Sequence, residues 1–148
     1  MGADKEAVLV SACLLGLRCR YDGKAREHEG IRALMEKGTR FVPVCPEQLG
    51  GLPTPRPPAE IQKDGRVVNR EGRDVTEEYR RGAEEALKLC RMTGCAAAVL
   101  KARSPSCGRG LVYDGAFSGR LVPGDGCTAR LLEENGVRVL TEEELHKL

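Results

Sequence analysis

Three short apolar runs each lead into a loop that carries a cysteine, and this arrangement leaves few folds open. Ala7 to Ala12 (AVLVSA) is β-branched and unbroken by polar residues, the pattern of a strand buried on both faces of a parallel sheet, and it ends at Cys13. Phe41 to Val44 is the second run. It enters Cys45-Pro46-Glu47, where Pro46 cannot donate to a ladder and is expected to end the strand. Ala96 to Leu100 (AAAVL) is the third, followed by Lys101-Ala102-Arg103-Ser104-Pro105-Ser106-Cys107-Gly108. A fourth strand is expected at Val137 to Leu140.

Helical patterns separate these runs. Ile31, Leu34 and Met35 fall at i, i+3, i+4 within a helix expected over Glu27 to Lys37, with Gly38 as a left-handed cap. Asp74 and Glu77 have the spacing of a capping box, opening a helix whose apolar stripe is Tyr79, Ala83, Ala86, Leu87 and Cys90 and which Gly94 ends. A shorter helix is expected from Thr128 to Asn135, closed by Gly136. Gly50 to Pro58 (GGLPTPRPP) holds four prolines and two glycines and reads as a working loop. Ile61 to Asn69 reads as a hairpin with a type I′ turn at Asp64-Gly65, and Val112 to Gly119 as a second hairpin or an Ω-loop. Strands alternating with helices imply right-handed βαβ units. The expected fold is α/β: a three-layer, Rossmann-like sandwich with a mostly parallel four-stranded sheet and small hairpin insertions.

The chain has 148 residues, a length suited to one domain spanning 1–148. No apolar run approaches the roughly 18 residues of a spanning helix, and Met1 to Val10 is no basic-then-apolar leader, so a cytoplasmic protein without a membrane partner is expected. Lys and Arg number 24 against 22 Asp and Glu, spread along the chain, and aromatics make up 3%. Polymeric nucleic acid is therefore not an expected partner. The sequence leaves room for a homodimer.

The seven cysteines are an odd number, and no two form a C-x-x-C pair, which excludes zinc ribbons and thioredoxin-like sites. In an open parallel sheet, ligands bind beyond the carboxyl ends of the strands. Cys13, Cys45 and Cys107 all fall at that end. Three thiolates make an incomplete tetrahedral set, suited to a reactive metal centre or to an iron–sulfur cluster with one iron left open. Cys19 could close a four-cysteine zinc site with them, or its loop could hold a ligand. Arg18, Arg20, Lys101, Arg103 and Arg109 lie within six residues of a candidate ligand and favour thiolate over thiol, though they would serve a phosphate equally well.

Each candidate also has an ordinary structural reading. Cys90, Cys95 and Cys127 occupy positions typical of small buried hydrophobes. Glu47 suits general acid/base work if desolvated, and is otherwise a surface carboxylate. Ser104 and Ser106 flank Pro105, where turn chemistry alone would place serines. Tyr21-Asp22-Gly23 is also a simple turn, and Arg56 a solvated arginine. His28 and His146 stand apart from the motifs and are expected in solvent.

Ser11-Ala12-Cys13-Leu14-Leu15-Gly16, Cys19-Arg20-Tyr21-Asp22-Gly23, Cys45-Pro46-Glu47 with Gly50-Gly51-Leu52 and Pro55-Arg56, and Ser104-Pro105-Ser106-Cys107-Gly108 together resemble the family long labelled domain of unknown function 523, which includes the thiouracil desulfidases. The resemblance runs from about Val8 to Leu140. It implies a [4Fe-4S] cluster on Cys13, Cys45 and Cys107, with the remaining iron taking the sulfur of a thiolated base or nucleoside such as 2-thiouracil and releasing it as sulfide. It gives Glu47 and Ser104 catalytic roles, makes Tyr21, Asp22, Arg56 and Ser106 weaker candidates for the substrate pocket, and leaves Cys19 open. Cys127 stands where related sequences tend to have an aliphatic residue. The alternative is a non-catalytic module binding zinc or a cluster through Cys13, Cys19, Cys45 and Cys107. Cysteine-nucleophile catalysis ranks behind both because no histidine lies near the motifs.

Overall fold

The computed structural model describes residues 7–148; residues 1–6 of the Met1 to Val10 segment read above lie outside them. Strand β1 (Val8–Ser11) is buried along its whole length, and β2 (Phe41–Val44), β5 (Ala97–Leu100) and β8 (Arg138–Thr141) complete one sheet in the order β2-β1-β5-β8. Every pairing in it is parallel, so the sheet is wholly rather than mostly parallel. Side chains alternate between its faces. Leu9, Ala98 and Leu100 point to one, where Ala86 and Cys90 of α3 (Thr76–Thr93) and Ala129 and Leu132 of α4 (Cys127–Glu134) cover them. Val8, Val10 and Val99 point to the other, against Ile31 of α1 (Glu29–Glu36). Leu9, Leu100 and Leu132 are fully buried, each contributing about 1.5–3 kcal/mol of apolar burial.

Two hairpins are present: β3 (Ala59–Ile61) with β4 (Val67–Asn69), starting two residues before the expected Ile61, and β6 (Leu111–Tyr113) with β7 (Leu121–Pro123), whose return strand lies beyond the expected end at Gly119. They hold each other: Glu60 Oε1 accepts the Gly115 and Phe117 amides at 2.9 and 3.1 Å, and Gln62 Nε2 donates to the Gly115 carbonyl at 3.1 Å.

Four local expectations change. The Asp64-Gly65 turn is not type I′, because only Gly65 has positive φ; Gln62 instead closes a wider loop through its amide to Arg66 O. Asp74 forms no capping box: Val75 is the cap residue, and Asp74 Oδ1 accepts from the Thr76 amide and hydroxyl. Met35 is 47% exposed, leaving Ile31 as the buried anchor of α1. Pro46 ends β2 and also opens a one-turn helix, α2 (Pro46–Leu49), where its fixed φ and missing N–H suit the first helical position.

α2 sits backbone to backbone on α3. A Cβ at Gly82 would lie 2.0 Å from Pro46 O, and one at Gly50 would lie 1.9 Å from Glu78 O. Glycine in a helix interior costs about 1 kcal/mol relative to alanine, so Gly82 reflects this contact and not helix propensity. Among the described residues no helix is long and apolar enough to cross a membrane.

Candidate active site

The chain leaves β1 toward β2 on one side and leaves β5 toward β8 on the other, so the strand order reverses between β1 and β5. A crevice is expected at the carboxyl ends there, and a cavity of about 580 Å³ opens there. Cys13 enters it from the 3-10 turn after β1, Cys45 from the end of β2, and Cys107 from the loop after β5. Glu47, Ser104, Ser106, Arg56, Tyr21 and Cys19 line the same cavity. Asp22 does not. It pairs with Arg20 at 3.7 Å and accepts the Lys24 amide at 3.0 Å, holding the turn beside the mouth.

Each segment is fixed locally. Cys13 O accepts the Gly16 and Arg26 amides at 3.1 and 2.9 Å, and Gly16 adopts φ 99°, which closes the turn. In the Cys107 loop, Ser104 Oγ accepts the Ser106 and Cys107 amides at 3.2 and 3.1 Å. Glu47 is one residue into α2, which aims it across the crevice. Its Oε2 accepts from Ser106 Oγ at 3.1 Å and its Oε1 from Arg56 Nε at 2.9 Å. Ser106 commits its proton to that carboxylate, so Ser104 Oγ, 3.1 Å away, is the donor to Ser106. The result is a directed chain of hydroxyls ending on Glu47.

Arg56 is 8% exposed, not the solvated arginine its loop suggests. Tyr79 is buried on α3 with its hydroxyl turned to Glu47; burial, and then the Glu47 charge, holds its phenol well above the ordinary value. Its place on the apolar stripe reads as packing, and only α2 seated above reveals the second role. Tyr113 and Phe117 join Tyr21 and Tyr79 in the lining, so four of the five aromatics of the chain face this one cavity. Of the cations expected near the cysteines, Arg20, Lys101 and Arg103 line it; Arg109 pairs instead with Glu133 at 3.1 Å, and Arg26 and Arg70 are additions. His28 is partly buried with an unpartnered Nδ1, while His146 is exposed as expected.

Cys107, Cys19 and Cys45 are harder to ionise than an ordinary thiol. Burial, first of several causes, pushes Cys107 up to about 12, and Cys19 rises to about 11 through its hydrogen bond to Cys13. Cys45 is raised chiefly by its hydrogen bond to Cys19 and then by burial. Cys90, on the core face of α3, and Cys95, just beyond its end, are buried in the core, and Cys127 packs beside Tyr79, as their positions suggested. Cys19 meets both Cys13 and Cys45, while among the described residues no three His, Cys, Asp or Glu side chains are arranged around one point as for a single metal ion. A cubane spreads its ligands over separate irons, and three soft thiols from three strand ends fit that demand.

The 2-thiouracil desulfurase family model matches residues 8–144. The chain belongs to this family. Membership makes it an enzyme that removes sulfur from thiouracil, as the motifs implied. The uncharacterized protein YbbK of Bacillus subtilis (strain 168) is 43% identical over 150 residues, covering 95% of this chain and 99% of that one. The solved structure of the [4Fe-4S]-dependent thiouracil desulfidase TudS is 49% identical and superposes with a TM-score of 0.90, over 97% of this chain and 95% of its own.

Proposed function

We propose that the chain converts a thiolated pyrimidine, base or nucleoside, to its oxygenated form and releases the sulfur as sulfide, at a [4Fe-4S] cluster held by Cys13, Cys45 and Cys107. Water supplies the oxygen and both protons of hydrogen sulfide, so no electrons are gained or lost. When bound, such a cluster supplies an iron without a protein ligand, a Lewis acid for soft sulfur.

The observation that carries this reading is the meeting of three strand-end thiols with the Ser104, Ser106 and Glu47 chain in one aromatic-lined cavity. Glu47 takes a proton from the attacking water and returns it to the departing sulfur. Ser106 and Ser104 hold its carboxylate in place and offer a second proton route. Tyr21, Tyr113 and Phe117 give a planar ring apolar surfaces and exclude bulk water.

Anaerobic reconstitution tests it. The expected product is a brown protein with about four irons per chain that releases sulfide from 2-thiouracil. Cys13→Ala should abolish release, and Glu47→Gln should lower kcat by about 100-fold or more. A colourless, zinc-loaded protein with no turnover would overturn the proposal.

A further inference from the structure

Arg56 lies nine residues beyond Glu47, within the proline-rich loop, and its guanidinium is spoken for in every direction. Nε donates to Glu47 Oε1 at 2.9 Å. Nη1 donates to Pro53 O at 3.1 Å and to Thr54 Oγ1 at 2.9 Å. Nη2 donates to Cys19 O at 2.9 Å and stands 4.0 Å from Cys45 Sγ. The Arg56 amide donates to Tyr21 O at 2.8 Å. One cation thus joins α2, the proline-rich loop, the Cys19 turn and a proposed cluster ligand.

Such a group has no donor left for a substrate. A planar fork of five donors matches several fixed acceptors at once, which an ammonium cannot reproduce. Removing it leaves Glu47 without the partner that fixes Oε1, and a carboxylate free to swing by an ångström loses much of its effect on a bound reactant.

We infer that Arg56 is a positioning residue: it orients Glu47 and keeps that carboxylate in register with Cys45, instead of binding substrate. The inference rests on the desulfidase reading for its kinetic arm, while hydrogen exchange on the apo chain tests it independently.

Arg56→Lys and Glu47→Gln are compared, singly and together. Exchange is followed over residues 47–56 in the apo proteins, and iron content, visible spectrum, kcat and KM for 2-thiouracil in the reconstituted ones. Arg56→Lys should lower kcat about tenfold or more, with KM within about threefold of wild type. Its apo form should exchange faster across 47–56, and its cluster spectrum should shift as Cys45 loses a donor. In the Glu47→Gln background the same change should cost little further kcat, because the two residues act as one unit. Glu47→Gln is isosteric and provides the exchange readout if Arg56→Lys does not fold: the 53–56 loop should loosen there too. A rise in KM at unchanged kcat would make Arg56 a substrate ligand and overturn the inference, as would unchanged exchange across 47–56 in both variants. If wild-type protein holds its cluster yet releases no sulfide from any thiobase, the desulfidase reading fails, and exchange alone decides the role of Arg56.

Discussion

Ser104 and Ser106 stand two residues apart and do different work. Ser106 Oγ is the donor on Glu47 Oε2 and also lies 3.5 Å from Cys107 Sγ, but it bonds no backbone amide. Ser104 Oγ accepts two backbone amides, one of them that of Cys107, so it builds the turn that presents a proposed ligand and also stands behind Ser106 in the hydroxyl chain. Ser106→Ala should therefore lower kcat by about 10- to 100-fold, the effect of one lost hydrogen bond of about 1.5–3 kcal/mol to a carboxylate, with iron content near that of wild type because the turn that presents Cys107 is kept. Ser104→Ala should lower iron content as well as kcat. Iron and sulfide assays on both variants, reconstituted side by side, check the contrast; equal iron in the two would remove the structural role given to Ser104.

At the level of elements, the sequence was most legible where periodicity was strong. β1 and β5 differ from their expected ranges by one or two residues, β2 matches, and the stripe of α3 is buried throughout. α2 escaped because four residues show no helical period and because Pro46 serves equally as a strand stop and a helix start. The convergence of Cys13, Cys45, Cys107 and Glu47 was legible, since strand ends of a parallel sheet share an edge. The partners of Glu47 were not: Arg56 and Tyr79 reach it from a loop and from a helix core face, and no spacing rule links those positions. The seam between α2 and α3 was equally hidden, though it fixes the height of Glu47 over the crevice. Gly82→Ala tests that seam. Alanine favours the helix by about 1 kcal/mol, yet its Cβ would meet Pro46 O at 2.0 Å, backbone that cannot rotate aside. The expected outcome is a net loss of about 2 kcal/mol in denaturant unfolding of the apo chain, with lower kcat as Glu47 is lifted. A variant more stable than wild type would show that α2 moves freely on α3.

On the scale of the whole molecule, the folded chain keeps several acidic groups neutral, and this gives its stability a sign with pH. Cys107 serves the site, but Cys90 faces the core from α3, donates to Cys95 O at 3.2 Å, and is pushed up by burial to about 11 from an ordinary 9.0. An acid whose pKa is raised by folding holds its proton more tightly in the native state than in the unfolded chain. Its contribution is full below pH 9, where both states are protonated, and drains away as the unfolded thiol ionises between pH 9 and about 11. Each pH decade is worth roughly 1.4 kcal/mol, so Cys90 alone accounts for about 3 kcal/mol across that window. Cys107, Cys19 and the buried Tyr79 phenol act in the same direction. Iron-free protein, kept reduced, should therefore lose stability steadily above pH 9 in urea unfolding. Cys90→Ala should begin lower, from the missing sulfur, and fall less steeply over the same range; parallel slopes would mean that the Cys90 thiol ionises as readily in the fold as outside it.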